Sequence, residues 1–374
     1  MSKRLRNLLL VALLLMAAFA VILLVGKSPP LAARLLPESD GMVFANLRPI
    51  RLVTHFDRKP VAHSAEYQQF IDATGIVFER DLDAVAFGLH RMPNPNGPNG
   101  PVAFSEVFVG HFDGQRLAKY LGSIATDRET YAGHEIFTIP VQIATAATQM
   151  IATGRSLRVT QLGSDTIAAS NAPTPEQIHA MLDRFRSGVG LFSGSSLLTG
   201  LYPEVPIFSS VWGIGAIGLP FSEGGHVTVL GLHLPLADTT PFVASLRYTT
   251  GLHLRVEQIA ASDADAARSV QRLTALLDLL RRMQLLQGSG GNDAALRTLA
   301  ESLKIERHQD RAVLTAEIPL DIIRGLVNSS SSVAASDQAK PRPERLYLSK
   351  ARLPGVGDSR LSASRTLKQR QNPL

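Results

Sequence analysis

Residues 213–218 spell Gly213-Ile214-Gly215-Ala216-Ile217-Gly218. Glycines at this spacing hold a dinucleotide pyrophosphate when a strand precedes them and a helix opens directly after. Here Leu219-Pro220 and Gly224-Gly225 follow, then another strand-like run, so the glycines read as close packing in a sheet. Metal chemistry would need converging ligands. The ten histidines include no HExxH and no pair at i, i+4, the spacing that puts two imidazoles on one helical face. His233 and His253 each sit in a GLHL strand phrase and read as strand histidines, since two imidazoles without a carboxylate do not make a site. Glu79, Asp81 and Asp83 offer oxygen ligands, but the calcium-loop glycine and terminal glutamate are missing, and turn or capping roles fit better. Asp263 and Asp265 stand at a helix start, where negative charge is favoured by the dipole.

Nucleophilic chemistry fares no better. There is no Gly-x-Ser-x-Gly elbow; Ser193, Ser195 and Ser196 lie in the Gly/Ser-rich stretch GVGLFSGSSLLTG, 188–200, which reads as a flexible junction. With no cysteine in the chain, disulfides, thiolate metal sites and a cysteine nucleophile are excluded. The single tryptophan, Trp212, reads as core. No catalytic, cofactor-binding or metal-binding residue is assigned.

The elements around these residues predict an α+β fold. Strands are expected at 41–47, 82–90, 105–112, 134–139, 156–162 and 165–171, with helices at 64–74 (Ser64 cap, Gly75 stop) and 113–124 (Asp113 cap). Thr174-Pro175-Glu176-Gln177 opens a further helix to about Arg186, closed by Gly188. Beyond the junction come strand-like runs at 207–220, 226–236 and 249–261. A helix from Ser262 follows, with Ala266, Val270, Leu273, Leu277 and Leu280 on one face. A second helix, 293–303, a hairpin at 304–308 and 312–318, and a short helix from Pro319 complete the run. NPNGPNGP at 94–101 is an exposed turn. FVGHFDGQRLAKYL…HEIFTI and HLRVEQIAASDADAARSVQRL…RAVLTAEI align as strand, capped helix and strand, suggesting two units on one duplicated plan.

The strongest signal lies at the start. Residues 8–25 are eighteen consecutive apolar residues. With Gly26 they span ~28 Å as a helix, close to the ~30 Å hydrocarbon core. Cleavage after Ala18-Phe19-Ala20 is the competing reading, but the run continues through Val25, which favours an uncleaved signal anchor. Lys3, Arg4 and Arg6 precede it, which keeps the N-terminus cytoplasmic and places the body outside. Residues 1–27 carry +4 and residues 338–374 carry +7; set against the total of +6, this leaves −5 on 28–337. A mildly acidic body argues against nucleic acid as a partner. Residues 328–374, serine-rich and then basic, have the composition of a disordered tail.

The phrases PESDGMVFANL, YQQFIDATGIVFERDLDAVAFGL and EVFVGHFDGQRLAKYL with YAGHEIFTI resemble the first half of uncharacterised membrane-anchored proteins of acidobacteria. The likeness covers about 37–140 well and 205–325 loosely. It implies a periplasm-facing α+β body on one span and supplies no catalytic residues.

The expected organisation is therefore a cytoplasmic segment 1–7, a transmembrane signal anchor 8–26, a linker 27–37, α+β units at 38–188 and 189–327, and the tail 328–374. The expected function is that of a binding or scaffold protein in the inner membrane with a periplasmic body. Its expected partners are the lipid bilayer through residues 8–26 and an envelope protein or an anionic surface through the tail. The alternatives are an envelope hydrolase whose site is assembled from distant residues, and an accessory subunit of a membrane complex.

Overall fold

The computed structural model describes Met16 and residues 27–58, 63–94, 100–144, 150–216, 222–223, 226–229, 232–235, 240–248, 251–286 and 301–318. The anchor 8–26 (Met16 apart), the helix 293–303 apart from its last residues, the short helix from Pro319 and the tail 328–374 lie outside the described residues. Among the described residues no helix is long and apolar enough to cross a membrane.

The fold is mixed α+β, built on one twelve-stranded antiparallel sheet. Its first-half strands are β1 (Gly41–Asn46), β2 (Leu82–Arg91), β3 (Val102–Gly110), β4 (Asp127–Tyr131), β5 (His134–Ala144), β6 (Met150–Gln161) and β7 (Thr166–Ser170). The second half contributes β8 (Val211–Ala216), β12 (Pro241–Tyr248), β13 (Leu252–Ile259), β14 (Lys304–His308) and β15 (Arg311–Ile318). The short strands β9 (Ser222–Glu223), β10 (His226–Val229) and β11 (Leu232–Pro235) form a separate three-stranded sheet.

The strand order is β14-β15-β13-β12-β8-β1-β2-β3-β7-β6-β5-β4. At its middle β1 pairs β8, with Phe44 opposite Trp212 and Val43 opposite Gly213. Each side repeats a plan outward from this pair: the third strand leads into a helix, and the chain returns to lay its last strand against that third strand. On one side β7 returns to β3, and on the other β15 returns to β13. The helices are α5 (Gly114–Ile124) and α8 (Asp263–Leu286). The equivalence of β3–α5 with β13–α8 matches the sequence alignment. HEIFTI, however, is β5, and the topological partner of β15 is β7. The first half carries an extra hairpin, β4-β5, which displaced the match.

Alternation along the strands gives the sheet two apolar faces. Met42, Phe44, Ala86, Val107, Trp212, Ile214 and Val243 form one core. They pack with α1 (Leu31–Leu35), α6 (Glu176–Arg186) and α7 (Ser196–Leu201). Phe137, Val159, Ile167 and Ala169 point the other way, beneath Leu117 and Leu121 of α5 and Phe70 of α3 (Ala65–Thr74). Trp212 is 2% exposed and stacks on Phe44 with ring centroids 5.5 Å apart, as a core tryptophan should.

Caps follow the sequence. Ser64 accepts from Tyr67 N and Gly75 closes α3 in the left-handed region, while Asp113 accepts from Gln115 N and Arg116 N. At Thr174 the hydroxyl instead bonds the Glu176 carboxylate. Three segments behave differently from their composition. Residues 31–36 of the linker pack into the core, with Ala33, Leu35 and Leu36 fully buried, because LAARLL carries an apolar face that the sheet covers. The Gly/Ser stretch 188–200 holds α7, capped by the buried Ser195, whose Oγ accepts from Leu198 N. Glu38 accepts from Ser196 N and from its hydroxyl, which ties that junction down. Polar β4 (DRETY) gave no strand signal, since it lies at the sheet edge where alternation is not enforced.

In α8, Ala266 and Leu277 are buried, Leu273 is half-buried and Gln271 is exposed, the face expected from the spacing. Leu277→Asp should therefore cost about 3–5 kcal/mol by burying an unpaired charge. Gln271→Asp should stay within about 0.5 kcal/mol. Melting curves of the two variants check this, and equal melting temperatures would refute the face.

Candidate functional site: an apolar cavity beneath a tethered helix

Asn46, at the end of β1, caps the helix α2 (Leu47–Thr54) by accepting from Arg48 N, and His55 closes it at φ 50°. No residue of α2 is buried, so the helix owes little to the core. What holds it is ionic. Arg48 Nη2 donates to Asp83 Oδ2 at 2.6 Å and Arg51 Nη1 to Asp83 Oδ1 at 3.3 Å. Arg51 also donates to the carbonyls of Glu79 and Leu82.

Asp83 reaches these arginines because it sits in a β-bulge. The β2–β3 register slips between Leu82 and Ala84, which leaves Asp83 as the extra residue. Gly110 lies opposite, and a methyl group there would collide with the Asp81 carbonyl. The Asp83 side chain is 8% exposed. The Arg48 hydrogen bond first, with Arg51 and His111 adding to it, holds its carboxyl below the ordinary carboxylate range against the opposing effect of burial.

The opposite side of α2 covers a cavity of about 230 Å³. Pro49, Ile50, Val53 and Thr54 form the roof; Val211, Leu246, Tyr248 and Leu252 form the floor, with Ser210 at one end. Thr54 Oγ1 donates to Ile50 O at 2.7 Å, so its hydroxyl is already engaged within the helix. The volume exceeds the ~150 Å³ of an engineered apolar cavity that stays dry and takes a benzene ring. Exposed apolar residues occur on the same segments: Leu52, on the arginine side of α2, is 75% exposed, Tyr248 of the floor 41%, and Phe208, two residues before Ser210, 83%. Phe208 also holds φ 65°, a conformation uncommon for a bulky non-glycine residue.

The floor continues along the sheet. Val211 shares its face with Gly213, and through β1 with Ala45 and Val43. A Cβ on Gly213 would meet only Met42 O at 3.6 Å and a Val43 methyl at 3.7 Å, ordinary contacts. Close strand packing therefore does not require this glycine; its effect is a low stretch of sheet surface beside the cavity. Three strands from β8 on the same face, Glu106 of β3 pairs with Phe87 and Ala169, and burial pushes its carboxyl up from the usual range.

The other sequence candidates disperse. Gly213 and Gly215 lie in β8, while Gly218 is outside the described residues. His233 is in the small sheet and His253 in the large one, with His253 Nδ1 3.9 Å from Glu317. Asp81 accepts from Val77 N, the turn role expected, whereas Asp83 is an ion-pair anchor. Glu79 accepts from the Tyr67 hydroxyl. Asp263 and Asp265 sit in the first turn of α8, where Ser262 Oγ accepts from Asp265 N. Ser193 donates to Gly190 O. Among the described residues no three His, Cys, Asp or Glu side chains are placed to hold a metal ion.

Sequence reasoning missed α2 and its cavity. The signal was present in part. Asn46 is a cap, and Arg48 and Arg51 at i, i+3 share one side while Ile50 and Val53 share another.

No protein-family model and no curated protein matches the chain. Among solved structures it is similar to crystal forms I, III and IV of TP0453, at 11%, 12% and 10% identity. The matches cover 82%, 81% and 82% of this chain and 99%, 99% and 96% of the other, with TM-scores of 0.39, 0.39 and 0.37.

Two outcomes follow from the electrostatics. Asp83→Ala should destabilise by about 2–4 kcal/mol at neutral pH, because Arg51 loses its counter-charge in a half-buried setting. With a lowered folded pKa, the wild-type advantage is present above pH ~4 and fades as pH falls through the folded value; paired denaturant titrations across that range check both. Glu106 has the opposite sign. Its raised folded pKa means that stability is lost as pH rises above ~4, so Glu106→Gln should melt higher than wild type at pH 7 and together with it below pH 4.

Proposed function

We propose that this protein is a membrane-anchored binding module of the cell envelope. Its apolar run 8–26 spans the inner membrane with the N-terminus cytoplasmic, and its α+β body lies in the periplasm. The two halves of the sheet correspond to the units 38–188 and 189–327, joined edge to edge at β1 and β8, and the basic tail 328–374 is available to an anionic surface. The support for anchoring and orientation is the eighteen-residue apolar run behind Lys3, Arg4 and Arg6.

The observation that carries the binding role is the cavity of about 230 Å³ under α2, walled by Ile50, Val53, Val211, Leu246 and Leu252, with the half-exposed Tyr248 in its floor. A well-formed apolar pocket of this size is the kind of space in which small apolar ligands bind. A ligand needs no internal hydrogen-bond partner there, so its buried part is hydrocarbon. The helix that roofs the cavity is held at one edge by ion pairs and is free of core packing, which lets it shift to admit a guest without disturbing the two cores.

The test uses the full chain held in amphipathic polymer, where no bilayer competes. cis-Parinaric acid should bind saturably at one site per chain. Val53→Phe, which fills the cavity from its roof, should reduce that binding at least tenfold while keeping a cooperative melt. Unsaturable binding, or equal binding by a folded Val53→Phe variant, would refute the role.

A further inference from the structure

The position of the cavity relative to the end of the apolar run narrows the ligand. Ser28 is fixed to the body: its carbonyl accepts from the Tyr202 hydroxyl at 3.2 Å. In the sequence the apolar run ends at Gly26, two residues before Ser28. Tyr202 packs edge-on against Trp212 with ring centroids 5.2 Å apart, at the start of β8. From Tyr202 the chain wraps the end of the sheet. It passes through Phe208 and arrives at Ser210, whose carbonyl accepts from Asn46 N and whose N–H donates to Leu246 O. Ser210 is in the cavity wall. Ser28 and the cavity therefore lie toward one end of the sheet, on its two faces, with Phe208 on the path between them.

From this placement we infer that the exposed Leu52, Phe208 and Tyr248 rest on the outer leaflet of the bilayer and that the cavity takes one acyl chain of a membrane phospholipid directly from that leaflet. The inference rests on the apolar-ligand role proposed above and names its ligand. Three features of the molecule favour it over a soluble guest. Leu52, Phe208 and Tyr248 are apolar and exposed, an arrangement costly in water and favourable at a lipid interface. The lining carries no charged side chain for a head group, and the Thr54 hydroxyl is engaged within its helix, so the head group stays outside at the membrane surface. The tether from Gly26 to Ser28 is too short to let this end of the body move far from the bilayer. A chain entering here passes under α2 and can run on over Gly213, where the sheet carries no side chain.

The absence of cysteine lets single probes be placed without background. Full-length chains carrying Phe208→Cys, Leu52→Cys or Asn94→Cys are labelled with bimane and reconstituted in phosphatidylcholine vesicles containing mid-chain nitroxide lipid. Asn94 is exposed beyond the far end of β2, about 30 Å along the strand direction. Labels at 208 and 52 should be quenched at least twofold, and the label at 94 should be unaffected. In parallel, chains transferred from vesicles into amphipathic polymer should retain one phospholipid each by native mass spectrometry, and the Val53→Phe variant none. An unquenched label at 208 in a protein that still binds cis-parinaric acid would overturn the membrane docking while leaving the apolar-ligand role standing. Quenching at 208 and 52 without retained phospholipid would overturn acyl-chain capture. Loss of parinaric acid binding as well would remove the apolar-ligand role itself.

Discussion

The pairing of β1 with β8 is the contact on which the architecture depends. β1 belongs to the first half of the chain and β8 to the second, and their ladder from Gly41↔Gly215 to Ala45↔Val211 makes two smaller sheets into one. Such a ladder is worth little unless the side chains on either side of it are buried together. Here Met42, Phe44, Trp212 and Ile214 are, beneath α6 and α7. The same alternation turns Val43, Ala45, Val211 and Gly213 to the opposite face, where the cavity floor begins. Core and candidate site are thus two sides of one register, and a slip by one residue would exchange them.

Around this centre the molecule uses charge where it lacks apolar area. α2 has no buried residue and is kept in place by Arg48 and Arg51 on Asp83. A second ionic set does related work on the other half. Arg311 bonds Glu204 and the buried Glu257, joining β15 and β13 to the turn after α7, with Arg311 raised and Glu204 lowered by their mutual hydrogen bond. Glu38 binds the start of α7 in the same manner. These contacts fix surface segments whose own sequences could not hold them. The difference at α2 is that the space under the helix is left unfilled.

The sheet ends are protected by composition. The edge strands β4 and β14 read DRETY and KIERH, dense in charge, which discourages pairing with another chain. The exposed apolar residues are placed elsewhere, with Leu52, Phe208 and Tyr248 on the segments around the cavity and Leu191 and Phe192 in the loop that Arg34 holds through Val189 and Gly190. Their separation from the open edges keeps exposed apolar area away from the unpaired strand backbones.

What the sequence determined by itself was local: the caps at Ser64, Asp113 and Ser262, the apolar face of α8, the strands with strict alternation, and the eighteen-residue apolar run. These depend on interactions within a few residues, and their periods are visible in one dimension. The β3–α5 and β13–α8 phrases suggested a recurring plan, whose last strand only the pairing of β7 with β3 and β15 with β13 identified. Tertiary structure alone decided that the two halves share one sheet, because β1 and β8 lie 166 residues apart at their closest register, Ala45↔Val211. It decided that LAARLL is core rather than linker and that the Gly/Ser stretch folds onto Glu38. It decided as well that Asp83, which the RDLD phrase marks only as a turn residue, leaves a bulge to tether a helix. The cavity is the extreme case, since its walls come from α2, β8, β12 and β13, and no single segment carries the pattern of a space that exists only between them.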